Sequence, residues 1–298
     1  MLRVSIFGAG VMGRRHARVF ALCESVRIVG VVDVDKDAAQ SLASLIGGAV
    51  MSTQDALACS DAVVIATPTD THATLVSRAL EAGLAVLVEK PICTTTDRAH
   101  QLAQIAERKA VVLATGHSER FNPAVRSLSL ATERDPIVSL VTSRSMPRSR
   151  APRGSITLNL AVHDLDLARF LSRSRVEVAF AHGDSDRVTI GTTLHGASFG
   201  EHAVWQRAPA RARTLSAATA SGARYEADLL TSRLTVDGLL LAVSDEEPLL
   251  AQARAFLRAV ATGDMSSLAT ADDAASAVSL ALEAEALSSY ANPHLASS

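Results

Sequence analysis

The sequence predicts an α/β protein in which a doubly wound parallel sheet is followed by an α+β domain with an open, mainly antiparallel sheet. Two observations predict this fold class. Short apolar segments alternate with helical patterns over residues 1–117, whereas residues 176–243 form mostly β-type segments that glycines interrupt. Continuously apolar strands separated by helices are typical of a parallel sheet covered on both faces. Short strands broken by glycine are typical of an antiparallel meander.

The first part of the chain repeats a strand–helix pattern. We expect strands at residues 4–7, 26–32, 62–66, 85–88 and 111–114. Helical patterns fill the intervals at residues 11–22, 36–46, 71–82 and 96–109. Because connections between parallel strands are right-handed, such a series winds into a doubly wound sheet. The predicted first domain therefore spans residues 1–117.

The pattern changes after residue 117. We expect a helix at residues 121–132, a strand at 137–144, a helix at 160–171 and then the meander, followed by alanine-rich helices near residues 248–261 and 271–290. This mixture of elements predicts a second, α+β domain over residues 118–298.

The composition restricts the class of protein. The 298 residues include 29 Lys and Arg against 31 Asp and Glu, a net charge of -2, which excludes a chain whose overall field holds nucleic acid or an anionic membrane. Three widely spaced cysteines match neither a zinc motif nor a disulfide framework. The N-terminal residues lack a signal-peptide pattern, and no apolar run approaches the ~20 residues of a membrane helix. We therefore expect a cytoplasmic protein.

A glycine-rich segment lies between the first predicted strand and the first predicted helix. Gly8 permits a tight turn, Gly10 lets a pyrophosphate approach the backbone, and Gly13 permits close packing of helix and strand. The N–H groups at the start of the helix would face the phosphates. This arrangement predicts a Rossmann-type dinucleotide site. Its expected phosphate-binding residues are Gly8, Gly10, Val11, Met12 and Gly13.

An acidic residue follows the second predicted strand. Asp33 lies about twenty residues after Gly13, where a carboxylate accepts hydrogen bonds from the ribose hydroxyls and repels a 2′-phosphate. The position favours NAD over NADP, although the nearby Lys36 leaves NADP open. The alternative interpretation of Asp33 is a turn residue in an Asp-rich loop.

Polar residues also follow the strand predicted at residues 62–66. Thr67 and Pro68 lie at its carboxyl end, where open α/β sheets bind ligands, and His72 falls in the first turn of the next helix. We expect all three to contact the cofactor. A simple turn and helix cap would account for Pro68 and Thr71 equally well.

The strand predicted at residues 85–88 ends in Glu89-Lys90-Pro91. Pro91 restricts the backbone of Lys90 and so directs its side chain. A lysine in that place can donate hydrogen bonds to a substrate oxygen as negative charge develops on it. We expect Glu89 and Lys90 to contact the cofactor as well. The alternative is a solvated lysine at the start of a loop.

A second polar cluster falls in the helix predicted at residues 160–171. Asn159, His163 and Asp166 recur at helical spacing, which places them on one face. A histidine exchanges protons near neutral pH, and Asp164 and Asp166 are the nearby acids that could orient it. The alternative is an ordinary exposed helix face. The sequence offers no third ligand that would make a metal site of this fragment, so we expect none.

Four segments together resemble a known family. Gly8–Gly13, Glu89-Lys90-Pro91, the Gly-His-Ser-Glu-Arg-Phe-Asn-Pro run at residues 116–123 and the His-Asp-Leu-Asp run at residues 163–166 occur in the order seen in the glucose–fructose oxidoreductase / inositol dehydrogenase (Gfo/Idh/MocA) family. The resemblance covers almost the whole chain. The compact length and the third segment look most like the UDP-N-acetylglucosamine 3-dehydrogenase branch.

The resemblance implies roles for individual residues. Lys90 matches the catalytic lysine of the family and His163 its catalytic histidine. Asn159 stands where many members have Asp, so it can hydrogen-bond a sugar hydroxyl but cannot relay a proton. Arg120 and Asn122, in the third segment, are expected to contact substrate or cofactor. The sheet of the second domain is expected to form a homo-oligomer, a dimer or a tetramer.

An arginine-rich stretch precedes the helix that carries His163. Arg148 and Arg150 lie in a segment with two prolines and are expected to bind the diphosphate of a nucleotide sugar, because guanidinium groups bind phosphate oxygens bidentately. A solvated loop is the equal alternative. Nucleic acid is not an expected partner, because the chain is slightly acidic and the stretch lacks interleaved aromatic residues.

The resulting prediction is an NAD-dependent oxidoreductase that converts a secondary alcohol of a sugar to a ketone. The expected substrate is UDP-N-acetylglucosamine, oxidised at carbon 3. The reaction would belong to the synthesis of a cell-surface sugar such as that of lipopolysaccharide. Two alternatives stay open: a dehydrogenase or ketoreductase for another nucleotide sugar, a free sugar or an inositol, and a non-catalytic NAD-binding regulator.

Overall fold

The computed structural model describes residues 1–147, 149, 154–196 and 198–288. The chain divides into two compact units. The first unit consists of Met1–Ser118 and Leu249–Ala275, and the second unit consists of Glu119–Pro248 and the described chain from Ser276 onward. Among the described residues, no helix combines the length and the apolar character needed to cross a membrane.

Strands and helices alternate up to residue 118. They are β1 (Leu2–Phe7), α1 (Val11–Ala21), β2 (Val26–Val32), α2 (Lys36–Ile46), β3 (Ala49–Val50), α3 (Thr53–Cys59), β4 (Ala62–Ile65), α4 (Thr69–Glu81), β5 (Ala85–Val88), α5 (Thr96–Lys109) and β6 (Leu113–Thr115). The sequence pattern did not predict β3 and α3, because a strand of 2 residues and a helix of 7 residues are too short to show periodicity.

The rest of the described chain is richer in strands. Its elements are α6 (Pro123–Ala131), β7 (Ile137–Pro147), α7 (Val162–Ser172), β8 (Glu177–Gly183), β9 (Arg187–Thr193), β10 (Phe199–Ala208), β11 (Ala212–Thr219), β12 (Arg224–Asp228), β13 (Arg233–Val236), β14 (Leu239–Leu241), α8 (Pro248–Thr262), β15 (Ala269–Thr270) and α9 (Ala271–Leu287).

A seven-stranded sheet forms the centre of the first unit, with the strand order β15-β6-β5-β4-β1-β2-β3. Neighbouring strands are parallel except β15, which pairs antiparallel with β6. Every residue of β4 and β5 is buried, as expected for strands covered by helices on both faces. The predicted doubly wound parallel sheet is confirmed.

The first unit includes a segment that the sequence pattern places in the second domain. Leu249–Ala275 belongs to the first unit, whereas the predicted division lies at residue 117. β15 extends the sheet beside β6, and Phe256 of α8 packs against Phe20 of α1 with ring centroids 6.2 Å apart. These contacts join segments that are distant in the sequence, so local patterns do not indicate them.

An eight-stranded sheet forms the second unit, with the strand order β14-β13-β12-β11-β7-β10-β9-β8. Its pairs are antiparallel except β10 with β7. Burial alternates along β10 and β11, so one face of the sheet packs on a core shared with α6, α7 and α9. The predicted open and mainly antiparallel sheet is confirmed.

Candidate active site

The turn between β1 and α1 has the geometry of an anion site. Gly8 has φ +100°, and a Cβ atom there would lie 2.5 Å from the carbonyl oxygen of Ala66. A Cβ atom on Gly13 would overlap the carbonyl group of Gly8. At Gly10, by contrast, no heavy atom of the described chain lies within 4 Å of an added Cβ, apart from those of Gly10 itself and its neighbours along the chain. The backbone is therefore open to a ligand at Gly10 and closed by packing at Gly8 and Gly13.

The first turn of α1 leaves its N–H groups available. Among the described residues, no side chain caps the helix at Gly10 and its first turn holds no acidic residue. The N–H groups of Val11, Met12 and Gly13 have no partner within the helix, because each would need an acceptor four residues earlier in helical geometry. An anionic phosphate fits this helix start.

Asp33 lies next to this turn. Its carboxylate accepts hydrogen bonds from the backbone N–H groups of Ala9 at 2.5 Å and of Asp35 at 2.9 Å. It borders a cavity of about 860 Å³ in the first unit. The cavity is also lined by Lys36 at the start of α2 and by residues of three loops, among them Val34, Met51, Thr67 and Pro68. The cavity has room for the adenosine moiety of NAD with its ribose beside Asp33, and the separate start of α1 suits the pyrophosphate, so the residues present fit NAD.

Glu89, at the end of β5, is buried and faces the first helix. Its Oε1 lies 2.7 Å from Nε2 of His16 in α1, and its Oε2 accepts a hydrogen bond from the backbone N–H of Lys90 at 3.2 Å. Burial opposes ionisation of this carboxyl, but the hydrogen bond and charge of His16, together with Lys90, outweigh it and lower the pKa of Glu89. The carboxylate is thus held by the protein itself, whereas the sequence predicts a contact with the cofactor.

His72, near the start of α4, has both ring nitrogens on backbone carbonyls. Nδ1 lies 2.9 Å from the carbonyl oxygen of Pro91, and Nε2 lies 2.8 Å from that of Thr67. The side chain is 1% exposed. The sequence predicts that His72 contacts the cofactor; the structure instead makes it a link between two loops.

The Lys90–Pro91 peptide bond is cis, and Lys90 is half-buried.

The segment with His163 begins differently from the predicted helix. Thr157–Ala161 forms a π-helical turn, and α7 continues from it. Asn159 and His163 are half-buried, whereas most of their neighbours in α7 are buried. Because a π turn holds more residues than an α turn, the simple helical spacing of Asn159 and His163 does not hold here.

The two acids near His163 are bound by arginines. Asp164 accepts hydrogen bonds from Nε and Nη2 of Arg144 at 2.9 Å and 3.0 Å. Asp166 accepts hydrogen bonds from Nε and Nη2 of Arg120 at 2.9 Å and 2.6 Å. The oxygens of both acids thus accept hydrogen bonds from arginines, and the role of Asp164 and Asp166 in orienting His163 stays a prediction.

Two residues predicted to contact substrate are buried within the second unit. Arg120 pairs with Asp166 and lies 5.1 Å above the ring of Phe170. Asn122 caps α6, since its Oδ1 accepts from the N–H of Ala124 at 3.0 Å and its Nδ2 donates to the carbonyl of Leu229 at 2.9 Å. Both differ from the expectation, because their polar atoms bind the protein. Arg148 and Arg150, the predicted diphosphate ligands, lie outside the described residues.

A buried ionic network surrounds Arg144, which ends the strand predicted at residues 137–144. Glu119 Oε1 accepts from Nη1 of both Arg144 and Arg213. Burial disfavours the charge of Arg144, but Asp164 and Glu119 outweigh it and raise its pKa. Burial lowers the pKa of Arg213. The alternation of inward residues along β7, which continues to Arg144, is the pattern that could have revealed this burial.

His202 of β10 lies in the same core. Its Nδ1 is 2.9 Å from the hydroxyl of Thr142, and its Nε2 is 3.2 Å from the hydroxyl of Thr192. Burial lowers the pKa of His202 to about 4, against a smaller opposing effect of Asp164. The ring is therefore neutral at pH 7.

The described residues contain no group of three or more His, Cys, Asp or Glu side chains that could hold a metal ion.

Comparison with known proteins identifies the family. The family model described as the oxidoreductase family with an NAD-binding Rossmann fold matches residues 2–117. UDP-N-acetylglucosamine 3-dehydrogenase of Acidithiobacillus ferrooxidans is 32% identical over 220 residues, which cover 70% of this chain and 69% of that protein. The chain belongs to this oxidoreductase family. The resemblance to the Gfo/Idh/MocA proteins is thereby confirmed.

Other members of the Gfo/Idh/MocA family are similarly close. Inositol 2-dehydrogenase of Rhizobium meliloti is 34% identical over 180 residues, which cover 57% of this chain and only about half, 54%, of that protein. A solved structure of the UDP-N-acetylglucosamine 3-dehydrogenase of Acidithiobacillus ferrooxidans has a TM-score of 0.90 at 26% identity, covering 96% of this chain and 97% of that chain. The relatives thus include both sugar-nucleotide and inositol dehydrogenases.

Proposed function

We propose that the protein is an NAD-dependent dehydrogenase that oxidises carbon 3 of UDP-N-acetylglucosamine to the 3-keto nucleotide sugar. The observation that carries the proposal is the match with a UDP-N-acetylglucosamine 3-dehydrogenase, which extends over 70% of this chain in sequence and over 96% in structure. The 34% identity with an inositol 2-dehydrogenase favours oxidation of an inositol as the second candidate.

The first unit offers the residues that would hold NAD. The start of α1 at Gly10 suits the pyrophosphate, and Asp33 suits the adenosine ribose and disfavours NADP. Thr67 and Pro68 line the neighbouring cavity. When bound, NAD supplies the acceptor for the hydride of the alcohol carbon.

The protein's own groups handle the oxygen and its proton. Lys90 donates a hydrogen bond to the substrate hydroxyl and stabilises the negative charge that develops on it. His163 accepts the hydroxyl proton, which requires a neutral imidazole with a free lone pair. Asn159 hydrogen-bonds a sugar hydroxyl and fixes its orientation. Arg148 and Arg150 bind the diphosphate in this proposal.

The proposal also includes location and assembly. Three free cysteines, Cys23, Cys59 and Cys93, are compatible with the reducing cytoplasm. The open face of the second unit's sheet carries exposed apolar side chains at Val141, Phe180 and Phe199. A homodimer or homotetramer formed through this face would cover them.

A substrate panel tests the proposal. The protein is incubated with NAD and, separately, UDP-N-acetylglucosamine, other nucleotide sugars, free sugars and inositols, and absorbance of the reduced nicotinamide is followed. We expect the highest kcat/KM with UDP-N-acetylglucosamine. Faster oxidation of an inositol would replace the substrate, and binding of NAD with no turnover of any compound would favour a non-catalytic regulator.

A further inference from the structure

Two buried histidines contact the residues on either side of Lys90, one through a side chain and one through a backbone carbonyl. His16 bonds the side chain of Glu89, the residue before Lys90, and His72 bonds the carbonyl of Pro91, the residue after it. Each histidine is 1% exposed. We propose that His16 and His72 are positioning residues that hold the Glu89-Lys90-Pro91 segment so that the Lys90 amine is aimed at the substrate oxygen. This inference rests on the proposed role of Lys90.

His16 connects the segment to the phosphate-binding helix. The side chain lies on the buried face of α1, three residues after Gly13, and places Nε2 2.7 Å from the Glu89 carboxylate. The same carboxylate accepts the N–H of Lys90 through its other oxygen. A buried carboxylate with two donors is fixed in direction, so the peptide group of Lys90 is fixed relative to α1.

The residue type at position 116 supports this view of Glu89. A Cβ atom on Gly116 would lie 3.2 Å from Cδ of Glu89 and 3.3 Å from its Cα. Only a glycine leaves the carboxylate its full room at this position. The residue that follows β6 thus also leaves space for the side chain of Glu89.

His72 connects the segment to the loop after β4. Carbonyl oxygens accept hydrogen bonds and cannot donate them, so a ring with hydrogen on both nitrogens serves Pro91 and Thr67 at once. A ring with one hydrogen serves only one of them. The ring is buried, so the contact with Pro91 is protected from competition by water. Thr67 lines the cavity assigned to the adenosine moiety, so His72 connects the lining of that cavity to the Glu89-Lys90-Pro91 segment.

The two positions differ in which ring nitrogen reaches the segment, and this permits a crossed experiment. At position 72 the relevant atom is Nδ1, whose place the amide of Asn occupies; at position 16 it is Nε2, whose place the amide of Gln occupies. His72→Asn and His16→Gln therefore keep the bond to the segment, whereas His72→Gln and His16→Asn lose it. Matched controls are His100→Asn and His100→Gln on the exposed surface of α5.

The measurements are kcat, KM, the Kd of NAD and the thermal midpoint. The substrate for kcat and KM is UDP-N-acetylglucosamine, or myo-inositol if the wild type oxidises only myo-inositol. We expect His72→Gln and His16→Asn to lower kcat by about tenfold to a hundredfold, with a Kd for NAD within about twofold of wild type. His72→Asn, His16→Gln and both controls should keep most of the wild-type kcat. A loss of kcat that follows the thermal midpoint, or the same order of Asn and Gln at both positions, would overturn the proposal.

A second measurement does not need turnover. The rate at which acetic anhydride acylates Lys90 is compared with that of Lys36 in the same sample by mass spectrometry. We expect the ratio to change in His72→Gln and His16→Asn and to stay at the wild-type value in the other variants. An unchanged ratio in all four would contradict positioning. If Lys90→Ala keeps wild-type turnover while the ratio shifts as expected, the role of Lys90 in the proposed function is wrong and the positioning stands.

Discussion

Arg144 of β7 holds the carboxylate of Asp164 in a bidentate pair, with donor–acceptor distances of 2.9 Å and 3.0 Å. Asp164 directly follows His163 in α7, so the pair fixes the backbone of the helical turn that carries the imidazole. Arg120 holds Asp166 in the same way two residues further on. The sheet thus supports α7 through the buried, bidentate pair of Arg144 with Asp164.

Removal of this guanidinium should destabilise the protein strongly. In Arg144→Met, Asp164 and Glu119 lose a buried partner, and we expect the free energy of unfolding to fall by about 3–5 kcal/mol. Urea denaturation measures the change. The control is Arg175→Ala, whose ion pair with Glu177 joins side chains that are 86% and 59% exposed. A loss no larger than that of the control would contradict the assigned burial of the network.

The buried imidazole of His202 should make stability depend on pH. Its pKa is about 4 in the folded protein against 6.5 for the free side chain, so between these values the unfolded chain binds a proton that the folded chain does not. The stabilisation is complete above about pH 6.5 and is lost as the pH falls towards about 4. Between about pH 7 and about pH 5, we expect the wild type to lose about 2 kcal/mol more unfolding free energy than His202→Gln. Parallel pH curves for the two proteins would refute this assignment.

Asp33 should set the preference between the two nicotinamide cofactors. In Asp33→Asn the charge that repels a 2′-phosphate is removed, while a side-chain oxygen that can accept from Ala9 is kept. We expect the ratio of NADP affinity to NAD affinity to rise at least about tenfold, which corresponds to about 1.4 kcal/mol. Isothermal titration with each cofactor measures the ratio. If it does not move, Asp33 is a turn residue and not a cofactor ligand.

Two glycines of the same turn should respond differently to alanine. At Gly10 the added methyl group meets open space in the protein but would occupy the place of a phosphate, so NAD affinity should fall and the thermal midpoint should change little. At Gly13 it would overlap the carbonyl of Gly8, so stability should fall by about 1–3 kcal/mol or more. Thermal unfolding without cofactor and NAD titration separate the two effects. Equal behaviour of the variants would be inconsistent with this geometry.

The fold was predictable from the sequence where short-range patterns determine it. The parallel sheet, the glycine turn and the open antiparallel sheet follow from apolar segments and glycine spacing, and the structure confirms them. The return of Leu249–Ala275 to the first unit was not predictable, because β15 and Phe256 contact residues more than a hundred positions away. No periodicity within a segment contains that information.

The candidate site was predictable in its residue types but not in all of its partners. Asp33 and the start of α1 have the geometry that the glycine motif implies. The contacts of Glu89 with His16, of Asp164 with Arg144 and of Asn122 with Leu229 are set by tertiary packing, so neighbours in the sequence were a poor guide to them. The burial of His16 could have been predicted, because it lies four residues before Phe20 and both belong to the buried face of α1.

Lys90 and His163 carry the proposed chemistry once NAD is bound, so their removal should affect turnover and not cofactor binding. Lys90→Ala and His163→Ala are compared with wild type for turnover of the best substrate and for the Kd of NAD. We expect each variant to lose at least about a hundredfold in kcat, while its affinity for NAD stays within about threefold. Wild-type turnover in either variant, or a loss explained entirely by weaker NAD binding, would contradict the proposal.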